Sequence, residues 1–243
     1  MTDPAPVFYG ELYLRSTRPF LAPKVTDAEV DYLHAHLKLA RRPGVTLDLG
    51  CGQGRHLGPL RTRGNAVVGV DFDPLSLAEA RPKAPVVRGD FFRLPFRDGA
   101  LAGAYAWYNT VFSIEDQRQL PLFKELSRCL KPGGLLVLQG TARAQAEREP
   151  VAQFDGLLPD GSRLVEKCRF DEATGHDHVS RELTLPDGRV MSASFFIRYY
   201  AIDELSALLE QADFEVLWVH GALDGSPPTP ESQDQIVGVE KRE

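Results

Sequence analysis

The sequence predicts an α/β fold built on a doubly wound, largely parallel sheet, and three observations carry that prediction. From Val45 onward, short apolar runs alternate with segments of helical apolar spacing, the βαβα rhythm of a parallel sheet covered on both faces. The first run, Val45-Thr-Leu-Asp-Leu49, ends in the alternating glycines Gly50, Gly52 and Gly54. The next, Val67-Val-Gly-Val70, ends in a single carboxylate, Asp71.

The elements follow in order. Residues 27–40 place Val30, Leu33, Leu37 and Ala40 on one helical face, with Thr26 as the expected cap and Pro43-Gly44 as the stop. Strands are expected at 45–49, 66–70, 86–88, 101–108 and 135–139. Helices are expected at 54–63, at 74–81 with Pro74 in its first turn, and at 117–130, stopped by Lys131-Pro-Gly-Gly134. The rhythm then changes. Residues 142–152 read as a polar helix or linker. Residues 163–170, 178–185 and 190–199 read as antiparallel strands, joined by turns at Asp171-Glu-Ala-Thr-Gly175 and Pro186-Asp-Gly188. A helix at 202–212 and strands at 214–220 and 235–239 close the chain. The expected organisation is an N-terminal helical or lid segment over 1–43, a main domain formed by 44–141 and 200–243, and a β lid insertion over 142–199.

Composition narrows the function. The 243 residues suffice for one large domain, or one domain with an insertion. A net charge of -6 disfavours a nucleic-acid partner, because such binding draws on an excess of Lys and Arg. The nearby Arg15, Arg18, Lys24, Arg41 and Arg42 leave a local basic patch open. Cys51, Cys129 and Cys168 are widely spaced, with no Cys-x-x-Cys pair, so neither a disulfide framework nor a zinc site is expected and a cytoplasmic location fits. No apolar run is long enough to span a bilayer, and residues 1–6 do not resemble a signal peptide, so no membrane partner is expected. His176-Asp-His178 falls at a hairpin, and His34-Ala-His36 points two ways on a helix; metal binding is not expected.

Ligands of open α/β sheets sit beyond the carboxyl ends of the strands, where the three glycines fall. Lacking Cβ atoms, they let the backbone turn tightly and approach a ligand closely. Asp71, ending the neighbouring strand, suits ribose hydroxyls. The dinucleotide pattern Gly-x-Gly-x-x-Gly is not met, because the third glycine comes one residue early and position 55 is Arg. Asp90 ends the next strand and suits an adenine amine, with Phe91 or a neighbouring apolar group over the ring; a loop-capping Asp is the lesser alternative.

These segments resemble the class I S-adenosylmethionine-dependent methyltransferases. Leu47-Asp-Leu-Gly-Cys-Gly-Gln-Gly-Arg-His56 resembles that family's first motif, and Val68-Gly-Val-Asp-Phe-Asp-Pro74 its second. Arg88-Gly-Asp-Phe-Phe-Arg-Leu-Pro-Phe96 resembles the adenine motif, and Leu126–Val137 the helix–turn–strand after the acceptor motif. Tyr9-Gly-Glu-Leu-Tyr13 and Arg198-Tyr-Tyr-Ala-Ile-Asp-Glu-Leu205 are similar to the lid and tail of a bacterial small-molecule-type subgroup with a β lid insertion. The resemblance implies a Rossmann-like seven-stranded sheet with its last strand antiparallel, S-adenosylmethionine as cofactor and S-adenosylhomocysteine as product. It implies a cofactor site of Asp48, Gly50, Cys51, Gly52, Asp71, Phe72, Asp90, Phe91 and Asn109, with Asp48 under the glycine loop and Asn109 near the methionine end. The acceptor-side segments depart from the family pattern, at Leu101-Ala-Gly-Ala104 and Thr110-Val-Phe-Ser113.

Methyl transfer needs alignment and exclusion of water, and a base only where the acceptor binds protonated. Tyr9, Tyr13, Tyr108, Tyr199 and His56 are the candidates; packing with a satisfied hydroxyl is the commoner role for each tyrosine, and a helix position near the glycine loop for His56. Arg15 or Arg18 could meet a carboxylate of cofactor or substrate. The expected acceptor is a small-molecule oxygen or nitrogen, and the expected assembly a monomer or homodimer. Methylation of a protein or RNA, and a non-catalytic cofactor-binding protein, remain as alternatives.

Overall fold

The structure, a computed structural model, describes residues 10–38, 43–150 and 152–243. In chain order its helices are α1 (Glu11–Thr17), α2 (Pro23–Leu37), α3 (Leu57–Thr62), α4 (Pro74–Ala80), α5 (Asp116–Cys129), α6 (Arg143–Arg148) and α7 (Ile202–Gln211). The strands are β1 (Thr46–Leu49), β2 (Val67–Asp71), β3 (Val86–Arg88), β4 (Leu101–Ala106), β5 (Leu130–Thr141), β6 (Gln153–Leu157), β7 (Arg163–Asp171), β8 (His176–Thr184), β9 (Val190–Arg198), β10 (Phe214–His220) and β11 (Asp234–Lys241). Seven strands form one sheet in the order β10-β11-β5-β4-β1-β2-β3, and β6–β9 form a separate antiparallel sheet. The last strand, β11, runs antiparallel to both of its neighbours. The α/β architecture and the antiparallel last strand are those expected from the sequence.

Strand periodicity builds two cores from one sheet. Ala104, Ala106, Leu136 and Leu138 face one way and pack with Leu122, Phe123 and Leu126 of α5 and Leu205 and Leu209 of α7. Tyr105, Leu135 and Val137 face the other way, against Val30 and Leu33 of α2, Leu57 and Leu60 of α3 and Leu77 of α4. A third cluster joins Leu12 of α1 to Leu158, Leu164, Leu183 and Leu185 of the small sheet. The N-terminal helix is thereby fastened to the β insertion.

Three local expectations need correction. Helix α2 begins at Pro23, with Ala22 as N-cap, so Thr26 lies inside it and does not cap it; proline at the first position presets the helical φ. Ala40, the expected last apolar residue of that helix, lies outside the described residues, as do Arg41 and Arg42 of the basic cluster. Lys131-Pro-Gly-Gly134 stays within β5 as a bulge: Leu101 pairs with Leu130 and Gly103 with Leu135, and Gly133 takes up a φ of 71°. Strand β6 was not expected at all. It is a mostly exposed edge strand carrying Asp155 and Gly156, and lacks the apolar alternation that signals a strand. Among the described residues, no helix is long and apolar enough to cross a membrane.

Candidate active site

The carboxyl edge of the seven-stranded sheet and the β insertion border a cavity of about 550 Å³, within the range that takes a drug-sized ligand. Gly50, Gly52, Asp71, Phe72, Asp73 and Phe91 line one part of it. Tyr108, Asn109, Gln139, Thr141, Gln145 and Asp234 belong to the β4, β5 and β11 end, and Glu166, Arg181, Phe195, Ile197 and Tyr199 come from the insertion.

The glycine loop is shaped for close approach. Gly50 has φ 73°, and a Cβ there would run into Thr110 Cγ2. Gly52 has φ 51°, and a Cβ built on it meets nothing within 4 Å, so its backbone faces open space. The Gly50 N–H donates to Val70 O at 2.8 Å, tying the loop to β2. Asp71 is 8% exposed; its Oδ2 accepts the Gly52 N–H at 2.8 Å and its Oδ1 the Asp73 N–H at 2.9 Å. Burial raises its carboxyl above the ordinary range, against the pull of these N–H groups. A carboxylate with four lone pairs keeps room for a further donor. Asp73 caps α4, accepting from the Ser76 N–H at 2.9 Å and the Ser76 hydroxyl at 2.6 Å.

Asp48 is buried and lines a separate small cleft, together with Gly50, Cys51, Gly52, Arg55 and His56. Burial pushes its carboxyl up to about 7, with the neighbouring Tyr105 and Arg55 opposing. Cys51 is buried in the same cleft, and burial drives its thiol well above the usual range. The cluster that holds this floor centres on Glu29, which sequence reasoning missed. Its Oε1 accepts the Trp107 Nε1–H at 2.9 Å, and its Oε2 pairs with Arg55 and with His56 Nε2, the latter at 3.0 Å. Burial would raise the Glu29 carboxyl, but the hydrogen bonds from His56 and Arg55 outweigh it and hold it at about 2. Burial depresses His56 to about 4, so it is neutral near pH 7 and engaged beneath the loop. The signal was available: Glu29 stands four residues before Leu33, on the apolar face of α2.

The other candidates divide. Asn109 lines the cavity, but its side chain is committed to β5: Oδ1 accepts the Thr141 N–H at 2.9 Å and Nδ2 donates to Thr141 Oγ1 at 3.2 Å. Tyr108 and Asn109 both hold left-handed backbone, φ 59° and 58°. Tyr108 exposes 43% of its surface, yet burial among its neighbours keeps its hydroxyl above the ordinary range. Tyr13 borders both the cavity and the cleft. Tyr199 is buried, its hydroxyl 3.4 Å from Asp177 Oδ2, and burial together with that carboxylate pushes it far up. Asp90 is exposed and outside the cavity lining; its Oδ1 accepts the Phe92 N–H at 2.9 Å, the loop-capping role. Arg15 pairs with Glu11 and Arg18 with Glu79, so neither reaches the cavity. Tyr9 lies outside the described residues. The insertion was expected as a lid, but Glu166, Arg181, Phe195 and Ile197 of β7, β8 and β9 and Asp234 of β11 were not singled out, because they carry no motif.

The residues fit the implied cofactor: open backbone at Gly52, a carboxylate at Asp71 and aromatic rings at Phe72 and Phe91 share one cavity. Residues 46–134 match the family described as methyltransferase domain. The chain is 28% identical to the cypemycin N-terminal methyltransferase of a Streptomyces species, over 88% of this chain and 89% of that one. Among solved structures it is similar to the CcbJ methyltransferase of Streptomyces caelestis, with TM-score 0.73, 22% identity and 90% of each chain covered. It is also similar to an amino pentose methyltransferase of Micromonospora echinaspora, solved with S-adenosylmethionine bound, with TM-score 0.69, 20% identity, and 99% of this chain and 100% of that one covered. The motif order, the fold and these likenesses together support a class I S-adenosylmethionine-dependent methyltransferase.

Proposed function

We propose that the enzyme methylates a small molecule held between the carboxyl edge of the sheet and the β insertion. One observation carries this proposal: the cavity that begins at Gly50, Gly52 and Asp71 continues, without leaving the molecule, to residues of β7, β8 and β9. A cleft of this volume between two sheets suits a compact acceptor better than an extended polymer. Bound there, S-adenosylmethionine supplies an electrophilic methyl carbon on a sulfonium. In this proposal Asp71 accepts the ribose hydroxyls and the Gly50 and Gly52 backbone faces the methionine end. Phe72 and Phe91 flank the adenine. Asn109 acts indirectly, fixing the left-handed turn to the end of β5. The insertion and α1 exclude water, so the chain contributes alignment more than acid–base chemistry.

A peptide α-amine is the second reading, favoured by the likeness over most of both chains to an enzyme named for an N-terminal methylation. The test is transfer from methyl-labelled S-adenosylmethionine into cell extract, separated into small-molecule, peptide, protein and RNA fractions. Label in the small-molecule fraction is expected. Label confined to protein or RNA overturns the proposal.

A further inference from the structure

We infer that Asp234 is a catalytic carboxylate of the acceptor site, which binds a protonated aliphatic amine and removes one proton from it before methyl transfer. The inference rests on the proposed function and names the substrate class of the same cavity. Asp234 opens β11, the antiparallel strand, and its Cα pairs with Thr141 at the end of β5. It therefore stands on the carboxyl edge with the functional loops, but at the far side of β5 and β4 from the glycine loop after β1. Both Asp71 and Asp234 line the cavity. A cofactor held at Gly50 and Asp71 leaves Asp234 to the acceptor.

Charge singles it out. The other acid of the acceptor end, Glu166, already pairs with Arg181 across the insertion, with Arg181 Nε 2.5 Å from Glu166 Oε2. Asp234 has no ion-pair partner among the described residues. Its Oδ1 accepts a neutral donor, the Gln139 Nε2–H at 2.7 Å, and its Oδ2 takes no hydrogen bond from a described residue. Gln139 cannot turn away, because its Oε1 accepts the Tyr108 N–H at 2.6 Å. The carboxylate is thus aimed by a fixed amide and joined to the left-handed turn at Tyr108. Burial holds it above the usual carboxylate range, with Gln139 opposing. A half-buried carboxylate without a cation attracts one, and a raised one is the better base near neutrality.

An alcohol gives this group nothing to neutralise. An aliphatic amine arrives as R–NH3+, without a free electron pair, since its pKa lies near that of lysine, about 10. One N–H proton passes to the Asp234 carboxylate, and the N–H electron pair stays on nitrogen. That pair forms the N–CH3 bond while the C–S bond breaks and its electrons remain on sulfur. The proton on Asp234 then leaves to solvent. Two relatives are named for amine substrates, an N-terminus and an amino pentose, which agrees with the charge argument.

The test uses the full chain saturated with S-adenosylhomocysteine, as wild type and D234N. Ligand-observed NMR compares propylammonium with 1-propanol. Wild type is expected to hold the cation at least fivefold more tightly, and D234N to lose that preference while keeping its affinity for S-adenosylhomocysteine. An equal preference in the two proteins overturns the inference. A second arm follows labelled methyl transfer to a methyl 3-amino-3-deoxyglucoside and to alanyl-alanine, which separates a sugar amine from a peptide amine. For whichever is turned over, D234N is expected to be at least about 100-fold slower at pH 7, with partial recovery as rising pH deprotonates the free amine. A variant equally slow at every pH assigns Asp234 a purely structural part and overturns the inference. Label on a hydroxyl, untouched by D234N, does the same while leaving the proposed function intact. Label absent from every small molecule of the extract defeats the proposed function, and the NMR comparison then decides Asp234 alone.

Discussion

Glu29→Ala tests whether the floor of the site is held by a buried ion cluster. Glu29 is 6% exposed and satisfies three partners: the Arg55 guanidinium, His56 Nε2 and the Trp107 indole N–H. The Arg55 side chain is itself only 15% exposed, so removing the carboxylate strands a largely buried charge. Breaking such a pair costs about 3–5 kcal/mol. For a chain of this size each kcal/mol lowers Tm by about 2–4 °C, so a fall of about 6–20 °C is expected. The cluster also joins α2 to both the glycine loop and the strand end at Trp107, so affinity for S-adenosylhomocysteine should fall as well. Differential scanning calorimetry reads the first effect and isothermal titration at a temperature where the variant is folded reads the second. A Tm loss below about 3 °C with unchanged affinity would refute the reasoning, because it would mean that Arg55, His56 and Trp107 find other partners at no cost.

The remaining predictions concern the cavity and its floor. Asp71→Ala, at a carboxylate proposed to take both ribose hydroxyls, should weaken S-adenosylhomocysteine binding by at least about tenfold while the protein stays folded, since one hydrogen bond to a charged group contributes about 1.5–3 kcal/mol; unchanged affinity by calorimetry would sink that assignment. Asp48 is raised from 3.8 to about 7 in the folded chain, so the unfolded chain ionises first and the stability contributed by Asp48, full below about pH 4, is lost as pH rises through 7. Urea denaturation should therefore find wild type losing about 4 kcal/mol relative to Asp48→Asn between pH 4 and pH 8, and a difference that stays flat contradicts the burial argument. Tyr199→Phe should leave methyl transfer within about threefold, because a hydroxyl pushed up by burial and Asp177 makes a poor base; a loss of a hundredfold would restore Tyr199 as the catalytic base.

The sequence by itself determined the sheet and the glycine-loop half of the cavity. Apolar runs ending in Gly50-x-Gly52-x-Gly54 and in Asp71 state a local geometry, and local geometry is written in contiguous residues: a tight turn needs glycine, and a carboxylate at a strand end falls on the sheet edge. Phe72 and Phe91 came with those segments and do line the cavity. Asp90 showed the limit, since a carboxylate after a strand serves a ligand or its own turn, and here its side chain caps the turn at Phe92. The far half, proposed to take the acceptor, was decided only by tertiary structure. Glu166, Arg181, Gln139 and Asp234 lie on four strands with no motif among them, and they meet because an antiparallel last strand brings its first residue to the edge where the parallel strands end. Glu29 stood out in the sequence only as a carboxylate on the apolar face of α2, and its partners Arg55, His56 and Trp107 were fixed when α2 packed over the glycine loop. Pairing between distant segments depends on how two apolar faces fill one core, and no spacing within either segment encodes it.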